Sequence, residues 1–390
     1  MTRRFYSGVI GSALFVLALG FAPPAAHAGG YSHDIGIRAQ GLGGAFRAIA
    51  DDWSAVAYNP AGLAYIADNH IGFSNGFHHN RFTYTPDFSL SGSSGIVPPD
   101  AGYLNGQEVS NRHEIGWTPE AALIVRVPVW GESVLGLSVH QTFDQDLDWT
   151  LFEGVQGYST FDFSSLAPQF SIDMDIVNFQ ATFAREFAED KFSIGLGVAV
   201  VRADLIHRSI TLRDNPLPGV VRPFENIPEY TTANGNGWGI GGQLGVLWKP
   251  TEKLRVGATF TPKTTITASG DATLDFYLPS DSALRLSEGY LPGSDEFLLT
   301  TGFELKTTTE FETEVVAPAS FGLGVAYDLS EKVTVSLDGV YTLWSQYEGF
   351  AFMYNTDTNL GYFKYENLTT TDPLELLNPM AKTNLTFPAE

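Results

Sequence analysis

The chain has 390 residues, 44 acidic against 22 basic side chains, a formal net charge of −22, 40 glycines, 28 phenylalanines and no cysteine. So acidic a chain lacks the clustered Lys and Arg that phosphate contact needs, which excludes nucleic acid as a partner. The lack of cysteine excludes a disulfide scaffold and a thiolate zinc site, and charged residues, at 17%, are sparse beside the roughly 25% of soluble domains.

Thr2-Arg3-Arg4 is a short basic start, Val9 to Phe21 is mostly apolar, and Ala26-His27-Ala28 is an A-x-A cleavage site. This is the layout of a secretory signal peptide, which assigns residues 1–28 to export rather than to the fold. The apolar run is about 13 residues, too short for a spanning helix, which needs about 20. Residues 29–66 then lack strand alternation. They hold Gly41-Leu42-Gly43-Gly44-Ala45-Phe46, Ala50-Asp51-Asp52 and Asn59-Pro60-Ala61-Gly62. Short helices are expected here, with Asn59 capping a turn that starts at Pro60. So many small residues in one stretch predict a compact plug of short helices.

From residue 67 the pattern has period two, as in a strand whose side chains alternate between faces. Leu135, Leu137 and Val139 alternate with Gly136, Ser138 and His140. Phe192, Ile194, Leu196, Val198 and Val200 alternate with Ser193, Gly195, Gly197 and Ala199. Similar alternation fills 177–186, 238–248, 254–261, 321–329 and 333–343. One face is greasy and the other is tiny. A soluble sheet would carry Lys and Glu on its second face. Strands of about 10–18 residues exceed the usual 5–6 and suit a tilted crossing of a bilayer. Short polar links at 131–133, 189–191, 251–253 and 330–332 alternate with long connections near 144–166, 206–233 and 269–300. Trp130 and Trp248 lie beside short turns, and Trp149 and Trp344 lie at far strand ends, as two aromatic girdles require. Residues 67–390 are therefore predicted to form a transmembrane antiparallel β-barrel, all-β in class, with 29–66 as its plug.

Some motifs point elsewhere and fail on context. Gly72-Phe73-Ser74-Asn75-Gly76 matches G-x-S-x-G, but a nucleophile elbow needs a strand-to-helix turn and this is mid-strand. Gly237-Trp238-Gly239-Ile240-Gly241-Gly242 matches G-x-G-x-x-G without a following helix. His78 and His79 face opposite ways on a strand. Asp144, Asp146 and Asp148 share a strand face near a long loop, where a calcium site is the alternative to a solvated acidic loop. Aromatic residues of the tail, among them Phe350, Phe352, Tyr354, Tyr362, Phe363 and Tyr365, are candidates for contact with an apolar ligand. No catalytic set, cofactor or metal site is expected.

The blocks Gly41-x-Gly43-Gly44-Ala45-Phe46, Ala50-Asp51-Asp52, Ser54-Ala55 and Asn59-Pro60-Ala61-Gly62 resemble the N-terminal signature of the FadL-type transporters of long-chain fatty acids and aromatic hydrocarbons. Asn236-Gly237-Trp238-Gly239 through Leu247, and Ala317-Pro318-Ala319-Ser320 through Trp344-Ser345-Gln346, resemble later blocks of that family. The resemblance implies a barrel of about 14 strands in the outer membrane of a Gram-negative bacterium, plugged by an N-terminal hatch. It implies passive uptake of a hydrophobic small molecule, held in an apolar pocket and released as the hatch shifts towards a lateral opening beside a kinked third strand. On this chain the hatch residues would be Asn59, Pro60, Ala61 and Gly62. Leu42 and Phe46 are candidates to face the pocket. Arg38 and Arg47 are candidates to meet a carboxylate. His140, Gln141 and Phe143 would mark the kink. The expected surroundings are outer-membrane lipid and lipopolysaccharide, and the expected state is a monomer. A water-filled porin, an outer-membrane hydrolase and a structural or adhesive barrel stand as alternatives.

About nine strand-like runs precede Tyr347, followed by a poorly patterned tail ending Phe387-Pro388-Ala389-Glu390. Asn384 to Ala389 echoes Glu314 to Ala319, which opens a strand, so the last strands are expected to be missing from this sequence.

Overall fold

The computed structural model describes residues 35–79, 81–85, 107–111, 115–128, 131–150, 168–188, 190–214, 226–278, 303–347 and 352–354. The signal segment 1–28, Trp130 and the tail aromatics Phe350, Tyr362, Phe363 and Tyr365 lie outside them. An N-terminal segment comes first, with α1 (Ile37–Gly41), α2 (Ala55–Tyr58) and a 3₁₀ turn (Pro60–Tyr65). Strands follow: β1 (His70–His79), β2 (Thr83–Tyr84), β3 (Val109–Ser110), β4 (Ile115–Val127), β5 (Ser133–Trp149), β6 (Phe170–Phe187), β7 (Phe192–Asp214), β8 (Asn226–Trp248), β9 (Leu254–Thr261), β10 (Thr264–Leu278), β11 (Phe303–Ala317), β12 (Ser320–Ser330), β13 (Val333–Thr342) and β14 (Met353–Tyr354).

Twelve of these strands form one sheet, with β2 and β3 paired separately. Every pairing is antiparallel. Three pairs are halves of one crossing. β10 follows β9 after Pro262 and Lys263, and β12 follows β11 after Pro318 and Ala319. The register agrees, since Thr264 faces Ala317 and, three residues on, Thr261 faces Ser320. β14 follows β13 after a 3₁₀ turn (Trp344–Gln346). Nine crossings result among the described residues. Proline gives no ladder N–H, so each interruption sits where a proline or a turn removes a donor.

The two faces of this sheet have opposite environments. Ile194, Leu196, Val198 and Val200 are about half exposed on β7, and Phe73 and Leu337 reach 72% and 71%. Their neighbours Ser193, Thr182 and Ala184 are wholly buried against the N-terminal segment. The greasy face thus points outward and the small face inward, the reverse of a soluble sheet. On β8 the outward apolar run begins at Trp238 and ends at Trp248, both about half exposed. Ten residue steps at about 3.3 Å, tilted by about 40°, give a band about 25 Å tall, the height of a bilayer's apolar core.

Candidate functional site

The N-terminal segment sits against the inner face near the short-turn end. Its own core holds Phe46, Ala48, Ile49, Val56, Tyr58 and Leu63, packed with Ile124, Val134 and Ala184 of the wall. Phe46 and Tyr58 meet edge to face at 5.6 Å. The wall makes room with glycines. A Cβ on Gly195 would overlap the Pro60 carbonyl, one on Gly245 would overlap the Asn59 side chain and the Pro60 ring, and one on Gly257 would overlap the Arg47 carbonyl. Gly72 serves Trp53 in the same way, and Gly322 serves the Arg47 side chain. These are close approaches of backbone to backbone or ring that no larger residue allows.

Short helices leave many backbone groups without a partner of their own. Here polar side chains of the inner face supply them. Gln180 donates to the Val56 carbonyl at 2.6 Å, Gln243 to Ala57 at 2.7 Å, Ser193 to Ala61 at 2.9 Å and Arg126 to Ile66 at 2.6 Å. Glu120 accepts from the Gly36 N–H at 3.1 Å and from the Ser74 hydroxyl. Asn59, fully buried, links three elements. Its Oδ1 accepts from the Ala61 N–H at 3.1 Å, and its Nδ2 donates to Arg47 at 2.8 Å and to Val246 of β8 at 3.1 Å. At the short-turn end the Lys249 ammonium lies 3.1 Å from the Tyr65 ring centroid. Burial raises the pKa of the Tyr65 phenol and lowers that of the Lys249 ammonium, disfavouring the charged form of each.

Further along the strands the inner face changes character. Met174 and Ile176 of β6, Val201 and Leu205 of β7, Ile266 of β10 and Val315 of β11 form a buried apolar cluster, with Phe143 and Phe352 packed on it. Phe352 also stacks on His207 at 5.0 Å and meets Phe311 at 5.5 Å. At the same level the outer face turns polar. Asp144, Asp175, Asp204 and Asn236 stand in one cross-strand row. Between the N-terminal segment and this cluster the inner face carries Ser138, His140 and Asn178, with long contacts of 3.4 and 3.5 Å to the His140 ring.

The β5 ladder against β6 shifts register between Gln141 and Phe143, leaving Thr142 as an extra residue. A bulge of this kind bends its strand and flips the faces that follow, which is why Phe143 joins the inner cluster and Asp144 faces out. Gln141 donates to Asp175 at 2.6 Å. On the outer face beside this bend lies a groove of about 460 Å³, with Ala121 and Ala181 low in it and Ile71, Leu123, Leu137, Val139 and Phe179 around them.

The sequence-predicted residues divide. Asn59, Pro60, Ala61 and Gly62 are buried together, with Asn59 and Pro60 against Gly195 and Gly245 of the wall. Phe46 is wholly buried in the segment's own core, while Leu42 is 38% exposed. Arg38 pairs with Asp51, and Arg47 is held by Asp338 at 3.4 Å, so each arginine already has a carboxylate. Ser74 of the G-x-S-x-G match is tied to Glu120 within the β1–β4 pair, with no turn into a helix. In the G-x-G-x-x-G match, Gly237 and Gly239 allow β10 to pack closely at Thr267 and Ile266. Sequence reasoning missed the wall anchors Glu120, Gln180, Gln243 and Asp338, and the inner apolar cluster. A signal for the cluster exists at residues 200–202, where the alternation inverts: Ile194 to Val200 face out below, and Val201 and Leu205 face in above.

The profile of the outer membrane protein transport protein family (OMPP1/FadL/TodX) matches residues 24–371. The chain belongs to this family. Among solved structures, a FadL homologue of Pseudomonas aeruginosa is 16% identical with a TM-score of 0.54, over 84% of this chain and 72% of that one. The CymD monoaromatic hydrocarbon channel is 17% identical, with a TM-score of 0.54 over 82% and 72%. The toluene transporter TbuX of Ralstonia pickettii is 17% identical, with a TM-score of 0.54 over 84% and 76%. No curated protein sequence matches. At these identities the likeness is one of fold. This FadL-family chain is thus an outer-membrane transport protein of a Gram-negative bacterium, built as a β-barrel.

Proposed function

We propose that this FadL-family protein is a passive channel for hydrophobic small molecules. Residues 29–66 act in it as a hatch, and the ligand leaves sideways into lipid. The observation that carries the reading is the buried apolar cluster on the inner face beyond the hatch. A water-filled porin has a polar interior. Met174, Ile176, Val201, Leu205, Ile266 and Val315 instead offer an apolar solute a surface worth about 25 cal/mol per Å² removed from water. Below the cluster the hatch closes the way to the short-turn end, so a ligand needs another exit. The bulge at Thr142 and the apolar groove beside it favour an exit through the wall near His140, Gln141 and Phe143. Long-chain fatty acids and monoaromatic hydrocarbons are the ligand classes suggested by the names of the family and its structural neighbours. The protein works as a monomer, surrounded by lipid and lipopolysaccharide.

The test is uptake of labelled oleate, toluene and a small sugar into a host lacking its own hydrophobic channel. The chain has no cysteine, so one engineered pair forms one disulfide. Val56→Cys with Gly136→Cys places a hatch residue against β5, since a Cβ at 136 lies 3.3 Å from Val56 Cγ1. Uptake of an apolar solute that stops when the pair is oxidised and returns on reduction supports the reading. Entry of sugar alone supports a porin, and uptake indifferent to the lock overturns the moving hatch.

A further inference from the structure

Among the described residues, one charged contact joins the hatch to β13. Asp338 Oδ2 accepts from the Arg47 backbone N–H at 2.8 Å and from Arg47 Nη1 at 3.4 Å. Both side chains are part-buried, at 18% and 7% exposure, and lie over Gly322 and Gly324 of β12, where a Cβ would collide with them. The pair is incompletely satisfied: among the described residues, Arg47 Nε and Asp338 Oδ1 have no hydrogen-bond partner. A buried ion pair gains little net stability over an apolar contact, and losing one partner leaves an uncompensated charge. Such a pair makes a poor permanent clamp and a sensitive closure. Gly43, Gly44 and Ala50 have positive φ values of 63°, 77° and 39°, so left-handed residues bracket the stretch from Ala45 to Ile49. Arg47 is also the branch point of the hatch: its carbonyl accepts from Asn59, and its guanidinium lies 6.0 Å from the Tyr58 ring centroid.

We infer that the Arg47–Asp338 pair is the latch of the hatch, a positioning contact that sets how often residues 44–50 leave β12 and β13. The inference rests on the hatch reading above and assigns its control to one contact. It also removes Arg47 from the candidate receptors of a ligand carboxylate in the closed state.

The test uses the full chain in lipid. Asp338→Asn keeps an acceptor for the Arg47 N–H and removes only charge. It is expected to raise uptake of labelled toluene by about tenfold and to speed hydrogen exchange at 44–62 without speeding it in β7. Arg47→Met is expected to act alike, the double variant no more than either single one, and the swap Arg47→Asp with Asp338→Arg to restore slow exchange. Asp328→Asn is the control. It breaks the Arg255–Asp328 pair at 2.7 Å, which joins wall strands and does not touch the hatch. Equal effects of Asp328→Asn and Asp338→Asn, or wild-type exchange in Asp338→Asn, overturn the latch. If Asp338→Asn fails to fold, Arg47→Met read by the same exchange at 44–62 gives the answer. The Val56–Gly136 lock separates the two readings. Uptake blocked by the lock with a silent Asp338→Asn defeats the latch alone, and uptake indifferent to the lock defeats the hatch itself.

Discussion

The lower and upper halves of the same strands solve opposite problems. On β7, Ile194, Leu196, Val198 and Val200 face outward below, while Ser193 and Gly195 face the N-terminal segment. Above residue 201 the arrangement is reversed: Val201 and Leu205 face inward, while Arg202 and Asp204 face outward as an ion pair at 2.7 Å. β6 does the same with Phe179 below and Asp175 above, and β5 does it with a bulge. The lower half is a wall for lipid with a polar socket inside. The upper half is a wall for water with an apolar lining. A strand can hold both because alternation fixes only which residues share a face, and the identity of each face is free to change along its length.

The sharpest break of this comparison is a charge placed on each side of the inversion. Leu196→Arg, in the lipid band, is expected to cost about 2–4 kcal/mol of folding stability in bilayers, read by denaturant titration. The same charge at the polar position Asn236, eight residue rows nearer the outer end, should cost less than about 1 kcal/mol. Next in size is the lining. Leu205→Asn should leave the folded barrel intact and weaken uptake of an apolar solute by about 10- to 150-fold, because it removes about 1.5–3 kcal/mol of apolar contact. If uptake is unchanged while the protein folds, the inner cluster is not the route. Gly195→Val tests the socket. Its side chain would displace the Pro60 backbone, and overpacking of this kind costs about 1–3 kcal/mol. The expected result is faster hydrogen exchange in 55–65 and entry of solutes that wild type excludes. The smallest effect is Asp175→Asn. Asp175 stands between Asp144 and Asp204 in one row, and relieving like charges directly opposite should stabilise the strand ends by about 0.2–1 kcal/mol at low salt and less at high salt.

Much of this was legible in the residues, for definite reasons. Strand positions followed from period two because an outward lipid face leaves no polar interruption between Trp238 and Trp248. The cap at Asn59 was legible because Asn before Pro satisfies a local rule. The fates of Phe46 and Arg47 were not legible. Nothing local distinguishes an aromatic ring that points into the hatch core from one that points into a pocket. Arg47 meets a partner 291 residues away, and no periodicity carries such a pairing. The wall anchors Gln180 and Gln243 looked like ordinary polar positions of an alternating strand, and only contact with the hatch gives them meaning.

The glycine sockets have a consequence for assembly. Pro60 and Asn59 lie against β7 and β8, and Arg47 lies against β9, β12 and β13, so residues made early touch strands made much later. Where its inner side chains are small, a sheet has little to hold its curvature by itself. The N-terminal segment then serves as a mandrel around which the later strands bend. Deleting it should slow insertion more than it weakens the finished wall.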